Sequence, residues 1–345
     1  MTDREKLLYK MVWQLVSLLV LLLVIVIVLT FLLFFGVPEM TQSKVKMQVM
    51  DTVSIKENLS KKYWQAPDIS LESDPEIKYG KELIANTSVY LGPSGKVMKI
   101  SNGMNCQNCH PEAGTKIFGN NYSAVAATYP KFRARSGTEE SLFKRINDCI
   151  ERSLNGVALD NNNREMKAMI AYINWLGKTV PKNESPAGAG LMELNYLSRP
   201  ADPIAGKKFY LVKCLVCHQE KGEGFPNNDK SGYIYPPLWG KNSYTIGAGL
   251  YRLSRFAGYI KANMPLGASH DNPQLTDEEA WDIAAYVNSQ PRPQKDISKD
   301  WPDISKKPID HPFGPFSDSF DEKQHKFGPY LDIVHFKNTS SKAKL

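Results

Sequence analysis

The chain begins with a run of residues that is apolar on all sides. Residues 11–38 carry no charged side chain and consist mostly of Leu, Val, Ile and Phe. The run exceeds the roughly 20 residues that a helix needs to cross a bilayer, and it exceeds the apolar core of a cleavable signal. No Ala-x-Ala-like cleavage site follows it before Glu39. The pattern therefore predicts an uncleaved transmembrane helix as a membrane anchor at residues 1–38.

Helical periodicity returns at both ends of two later stretches. In each stretch an opening helix and a closing helix flank loops, and apolar residues recur at 3–4 spacing. The last closing helix starts with Thr276 and Glu279, which together predict a capping box. These four helices are predicted at 79–84, 165–176, 206–212 and 276–287. The internal repeat predicts an all-α fold of two fused domains, with strands only as short pairs.

Composition between the repeats predicts the connecting segments. A polar spacer follows the anchor, and a stretch rich in Pro, Gly and Ala joins the two repeats. The tail is rich in Pro, Asp, Phe and His, and we expect an extended strap over the surface. The predicted boundaries are 39–75 for the spacer, 76–180 and 201–292 for the domains, 181–200 for the linker and 293–345 for the tail.

Each predicted domain contains one C-x-x-C-H motif, at Cys106–His110 and at Cys214–His218. Two thiols one turn apart form thioethers to the two vinyl groups of a porphyrin, and the adjacent histidine supplies a nitrogen to the iron. Two such motifs predict two fused cytochrome c domains with two covalently bound c-type haems. The attachment residues would be Cys106, Cys109, Cys214 and Cys217, with His110 and His218 as axial ligands. Because c-type haems are attached outside the cytoplasmic membrane, we expect a single-pass inner-membrane protein with periplasmic haem domains.

The fifth cysteine, Cys149, has no intrachain cysteine partner left, because the haems use the other four. Met264 follows His218 by 46 residues and is the natural sixth ligand of the second haem. Cys149 follows His110 by 39 residues, a comparable position, which predicts an axial thiolate on the first haem. The alternative is a small buried hydrophobic residue. Two methionines compete as ligands of the first haem but are expected in the core, namely Met166 and Met169.

Basic side chains surround Cys149 on a helix that we predict to begin after Ser136-Gly137-Thr138, with Thr138 as its N-cap. Arg145, Arg152 and Ser153 lie at i−4, i+3 and i+4 from the cysteine and so share one face, and Arg135 precedes the helix. Guanidinium donors suit tetrahedral oxyanions, so we predict an anion site. The alternative is that these arginines pair with haem propionates or with Glu139, Glu140, Asp148 and Glu151.

Charge and the remaining histidines complete the prediction. The net charge of +7 suits anionic substrates or an acidic redox partner. The basic residues form no concentrated run and no nucleic-acid motif is present, so we do not predict nucleic-acid binding. The other histidines are expected to be surface or tail residues rather than ligands: His270, His311, His325 and His335.

The sequence resembles the thiosulfate dehydrogenase family of TsdA-type dihaem cytochromes c, which also run as tetrathionate reductases. The resemblance covers residues 76 to 335 and rests on the Cys149 segment Cys-x-x-Arg-Ser-Leu-Asn-Gly, on Arg135 and Arg145, on Asn263-Met264-Pro265, and on the tail at 300–315 and 324–329. It implies a catalytic haem held by His110 and Cys149, and an electron-transfer haem held by His218 and Met264.

The family further implies that two thiosulfate ions are interconverted with one tetrathionate ion and two electrons. Arg135, Arg145 and Arg152 would neutralise the dianions, and Ser153 would donate a hydrogen bond to a sulfonate oxygen. A partner cytochrome or a membrane electron-transport component would exchange the electrons. The direction stays open. Two other interpretations also stay open: a non-catalytic, membrane-anchored dihaem electron carrier, and a haem enzyme for another small substrate, such as a peroxidase.

Overall fold

The computed structural model describes residues 3–35, 63–229 and 231–342, which fall into two units. The first unit is helix α1, Asp3–Phe35. Its segment Tyr9–Thr30 has a mean hydropathy of 3.1 and is long and apolar enough to cross a membrane; a signal sequence would have the same features. The predicted N-terminal helix is therefore confirmed as a helix. Most of the predicted spacer, up to residue 62, lies outside the described residues.

The second unit contains the remaining helices. Those in its first half are α2 (Pro75–Ala85), α3 (Thr87–Leu91), α4 (Pro111–Gly114), α5 (Val125–Thr128), α6 (Leu142–Arg152) and α7 (Arg164–Leu176). Those in its second half are α8 (Pro203–Lys213), α9 (Leu215–His218), α10 (Leu253–Asn263) and α11 (Asp277–Ser289), and the tail adds α12 (Glu322–Phe327) and α13 (Leu331–Lys342). Short 3₁₀ turns lie at Ile69–Leu71, Cys106–Asn108, Gly249–Tyr251 and Ile304–Lys306.

Strands occur as three antiparallel pairs in the described part of the chain, as expected. They are β1 (Gly119–Asn121) with β4 (Gly190–Leu191), β2 (Lys131–Arg133) with β3 (Thr138–Glu140), and β5 (Phe225–Pro226) with β6 (Tyr233–Tyr235). The predicted capping box at Thr276 is present: its hydroxyl accepts the Glu279 N–H, and the Glu279 carboxylate accepts the Thr276 N–H.

A close helix crossing recurs in both halves and depends on glycine. A Cβ at Gly80 in α2 would lie 2.0 Å from the carbonyl oxygen of Ala168 in α7. A Cβ at Gly206 in α8 would lie 1.8 Å from the carbonyl oxygen of Asp282 in α11. No side chain fits at either distance, so the opening helix of each half touches its closing helix backbone to backbone. This equivalence confirms the internal repeat.

Each half has its own hydrophobic core. In the first half Met166 and Met169 are completely buried among the core residues of α2 and α7, as their spacing predicted. In the second half the core forms around Tyr210, Phe256 and Trp281. Cys109 of the first C-x-x-C-H motif packs against this second core, so the two halves meet at that motif.

The prediction that Thr138 caps the Cys149 helix is wrong. Thr138 lies in strand β3, opposite Arg133 of β2, and the hairpin turns at Gly137, whose φ is +70°. Helix α6 begins three residues later than that cap would place it. Its N-cap is Ser141, whose hydroxyl accepts the Lys144 N–H at 3.2 Å.

The tail is extended only in part. Apart from one 3₁₀ turn, residues 290–321 lack regular structure, whereas α12 and α13 make the following segment helical. The extended-strap prediction therefore needs correction from Glu322 onward, because Tyr330 and Ile333 are buried in the second core and anchor a helix there. His311 and His325 lie in the tail as expected but are buried rather than superficial.

Candidate active site

The first C-x-x-C-H motif is shaped by local hydrogen bonds. Cys106–Asn108 forms a 3₁₀ turn, and the Thr87 hydroxyl accepts the Cys106 N–H at 3.0 Å. The Nδ1 atom of His110 lies 2.6 Å from the carbonyl oxygen of Asn120, which makes Nδ1 the protonated nitrogen. Burial lowers the pKa of His110 to about 4, so its ring is neutral. A neutral imidazole whose Nδ1–H is held by a carbonyl offers Nε2 to a metal, as a haem histidine must.

The second motif repeats this arrangement. The Nδ1 atom of His218 lies 2.9 Å from the carbonyl oxygen of Pro236, and burial lowers the pKa of His218. His218, Cys214, Cys217 and Met264 line one cavity of about 1040 Å³, mouth included, whose walls are mainly apolar. Two thiols, an imidazole nitrogen and a thioether in one apolar cavity are the donor set that a c-type haem requires. The residues of both motifs therefore fit the cofactor.

Cys149 lies in the last turn of α6, close to the first motif. The Arg145 guanidinium donates to the Cys149 Sγ at 3.1 Å, one turn away on the same helix. This proximity of Cys149 is the main cause of a raised pKa for Arg145. After burial, Cys149 also contributes to the raised pKa values of Cys106 and Cys109, about 11 and about 12. The structure thus brings Cys149, Arg145 and the first attachment thiols together.

The other two predicted arginines are held from outside the first half. Both terminal guanidinium nitrogens of Arg152, Nη1 and Nη2, donate to the Asp300 carboxylate at 2.7 Å. Arg135 donates through Nη1 to the carbonyl oxygen of Gly247 at 3.0 Å, and its Nε lies 3.9 Å from the same Asp300. Burial lowers the pKa of Arg135 to about 10, and the nearby charge of Arg152 adds to this effect. Arg152 thus has a carboxylate partner, but a different one from those that the sequence suggested.

Asp300 is the residue of this site that sequence reasoning missed. It lies in the tail, 148 residues from Arg152, and no helical or strand spacing relates the two. Its neighbour Trp301 donates its backbone N–H to the carbonyl oxygen of Arg135 at 2.7 Å. Ser153 lies half-buried at the end of α6, and its backbone N–H donates to the Cys149 carbonyl at 2.8 Å. The signal that could have found Asp300 is its place in a tail segment that resembles the family.

Comparisons with known proteins show which families and relatives this chain resembles. Residues 96–181 match the family model described as SoxA/TsdA, cytochrome c domain, and residues 204–291 match Cytochrome c. The chain is 41% identical over 198 residues to the thiosulfate dehydrogenase of Allochromatium vinosum, covering 56% of this chain and 72% of that protein. It is 32% identical over 263 residues to the thiosulfate dehydrogenase of Stutzerimonas stutzeri, covering 75% and 82%.

A solved structure adds to these matches. The as-isolated form of thiosulfate dehydrogenase (TsdBA) from Marichromatium purpuratum aligns with a TM-score of 0.64 and 28% identity. The alignment covers 75% of this chain and 54% of the solved chain, so this chain spans about half the length of that protein. The chain therefore belongs to the thiosulfate dehydrogenase family, with two cytochrome c domains that each carry a c-type haem.

Proposed function

We propose that this protein interconverts thiosulfate and tetrathionate at the first haem site and exchanges electrons through the second. The observation that carries the proposal is the 3.1 Å contact between Arg145 and Cys149 beside the first attachment motif. A thiolate next to a guanidinium is an unusual feature for a passive electron carrier. The relatives' names supply the substrate.

The two sites are proposed to differ in their ligands. His110 and Cys149 would hold the first haem, and His218 and Met264 the second. When bound, each haem supplies a one-electron redox centre, and the two together match the two electrons of the reaction. An anionic thiolate lowers the potential of an iron centre and a methionine raises it, so the ligands favour different roles for the two sites.

The chemistry makes modest demands on the protein's own side chains. Joining two thiosulfate ions forms one sulfur–sulfur bond and releases two electrons and no proton, so no acid or base is required. The obstacle is the repulsion between two dianions. Arg135 and Arg145 would offset it with charge fixed in a partly dry site, where electrostatic stabilisation is large. Ser153 would donate to a sulfonate oxygen. Arg152 would contribute less than the other two arginines, because the Asp300 carboxylate already offsets its charge.

We further propose that α1 anchors the protein in the inner membrane, with both haem domains in the periplasm. The length and apolarity of Tyr9–Thr30 support this arrangement, as does the external attachment of c-type haems. Electrons would pass to or from a partner cytochrome or a membrane electron-transport component.

The test is an assay of the haem-loaded full chain in detergent, in both directions. Thiosulfate would be offered with an artificial electron acceptor, and tetrathionate with a reduced dye. Turnover in either direction supports the enzymatic function, and the ratio of the two rates gives the preferred direction of the reaction. If a fully haem-loaded protein exchanges electrons with neither substrate, the non-catalytic electron carrier becomes the better description.

A variant locates the chemistry. Cys149→Gly should abolish turnover and leave both haems attached, because the thiol is not an attachment residue. Lys144→Ala on the same helix is the matched control, since its side chain is half-exposed and pairs with Asp148 rather than with Cys149. Full activity of the Cys149 variant would remove this residue from the mechanism.

A further inference from the structure

The first haem motif forms part of the wall of the second haem cavity. Asn108 and Cys109, which belong to the first motif, line the same cavity as His218 and Met264. Cys109 also packs against the hydrophobic core of the second half. A cofactor in the second cavity would therefore touch the segment through which the first cofactor is attached.

Helix α10 carries the hydrogen bonds that join these two sites. The Tyr259 hydroxyl donates to the carbonyl oxygen of Asn108 at 2.6 Å. One turn later, the Asn263 amide donates to the carbonyl oxygen of Phe118 at 3.2 Å. Both donor side chains are buried and both bonds are partly shielded from water, so losing one is costly.

The two residues whose carbonyl oxygens accept these bonds lie in or near the first C-x-x-C-H motif. Asn108 lies between the two attachment cysteines of the first motif. Phe118 lies two residues before Asn120, whose carbonyl oxygen is bonded to the His110 ring. The donors are equally well placed, because α10 ends at Asn263 and Met264 follows directly. One helix therefore connects the ligand loop of the second site to the attachment loop of the first.

We propose that Tyr259 is the positioning residue that couples the two haem sites, and that its hydrogen bond to Asn108 sets the rate of electron exchange between them. In the coupled step one electron leaves the reduced first site and arrives at the oxidised second site, with no proton and no further reactant. A protein contributes to such a step by fixing where its cofactors sit, since transfer slows steeply as contact between them is lost. The proposal rests on the haem assignments of the proposed function but not on its substrate.

Tyr259→Phe tests this with little change of shape. Tyr244→Phe is the matched control: Tyr244 is as buried, lines the same cavity, and donates to Asn288 within the second half at 2.9 Å. The measurement uses the haem-loaded full chain in detergent. A ruthenium photosensitiser with a sacrificial donor reduces the protein partially, and absorbance follows how the electron redistributes between the two haems. Haem content, the two reduction potentials and thermal unfolding are recorded for each variant.

We expect Tyr259→Phe to slow electron redistribution severalfold at unchanged haem content and potentials, and Tyr244→Phe to match the unsubstituted protein. Wild-type redistribution in the Tyr259 variant would overturn the proposal. Equal slowing in both variants would also overturn it, because the effect would then reflect only a lost buried hydrogen bond. Substrate turnover is not used, so failure here is distinguishable from failure of the proposed thiosulfate chemistry.

Discussion

Replacing Asp300 by Asn should destabilise the second unit markedly. The Asp300 side chain is 9% exposed and that of Arg152 is 15% exposed, and two hydrogen bonds of 2.7 Å join them. Removing one charge from such a buried pair typically costs about 3–5 kcal/mol, because the other charge is left without compensation. Asn retains one acceptor oxygen, so we place the loss in unfolding free energy near the lower end, at about 3 kcal/mol.

The loss should appear as a lower melting temperature in circular dichroism of the haem-loaded chain. For a unit of this size about 1 kcal/mol corresponds to roughly 2 °C, so the expected shift is about 6 °C. Asp303→Asn is the control, because Asp303 pairs with Lys306 at 3.5 Å and both side chains are more than half exposed. An exposed pair of this kind contributes at most about 1 kcal/mol.

A double-mutant cycle tests the reason for the effect. Combining Asp300→Asn with Arg152→Gln should cost less than the sum of the single changes, because the pair can be lost only once. The coupling energy between contacting charged residues is expected to be on the order of 1–3 kcal/mol. Additive single effects, or an Asp300 variant as stable as the Asp303 control, would refute the assignment of Asp300 as the partner that holds Arg152.

Two further substitutions test the packing and the buried charge. Gly206→Ala should lower the unfolding free energy by about 3 kcal/mol, because its Cβ would meet the Asp282 carbonyl at 1.8 Å. Gly249→Ala is the control and should be nearly neutral, because a Cβ there would have no neighbour within 4 Å. Equal melting temperatures of the two variants would contradict the close helix crossing. Burial raises the pKa of Asp310, but the Arg252 guanidinium and the hydrogen bonds from Ser254 together outweigh this, so the pKa is lowered. The ionised Asp310 carboxylate therefore stabilises the folded state above the ordinary carboxyl pKa, and this stabilisation is lost as pH falls through the lowered pKa of the folded state. Below about pH 4 the unsubstituted protein should lose unfolding free energy more steeply than Asp310→Asn, and parallel urea-unfolding profiles would contradict this.

Local patterns in the sequence account for much of the fold. The opening and closing helices follow from 3–4 spacing, and the capping box at Thr276 is a short-range signal that the structure confirms. The haem motifs are equally local, because the chemistry fixes their spacing. The N-cap predicted at Thr138 lies three residues before the observed one, because Thr138 can cap a helix but its pairing with Arg133 in a hairpin prevails. The tail helices were missed because burial of a few residues such as Tyr330 stabilises them, rather than a strong amphipathic pattern.

Contacts distant in sequence explain what the sequence could not show about the site. The candidate arginines were found from their spacing around Cys149, but their partners come from elsewhere. Arg152 accepts a backbone hydrogen bond from Thr245 at 2.9 Å and binds Asp300 of the tail. Such contacts depend on how the halves and the tail assemble, for which one sequence carries no periodic signal.

The packing of the tail against both halves also gives a physical reason for the position of Asp300. Without Asp300, Arg135 and Arg152 would face each other as two partly buried positive charges, and the nearby charge of Arg152 already lowers the pKa of Arg135. The carboxylate lies 3.9 Å from one of these guanidinium groups and is bonded to the other, so it holds both in place. In the proposed mechanism a site prepared in this way would not have to reorganise when a dianion binds, which is the condition under which fixed charges stabilise a reaction most effectively. The tail would then serve the same purpose for the arginines as we propose for α10 at the two haem sites: each would hold a group of one half in position from outside that half.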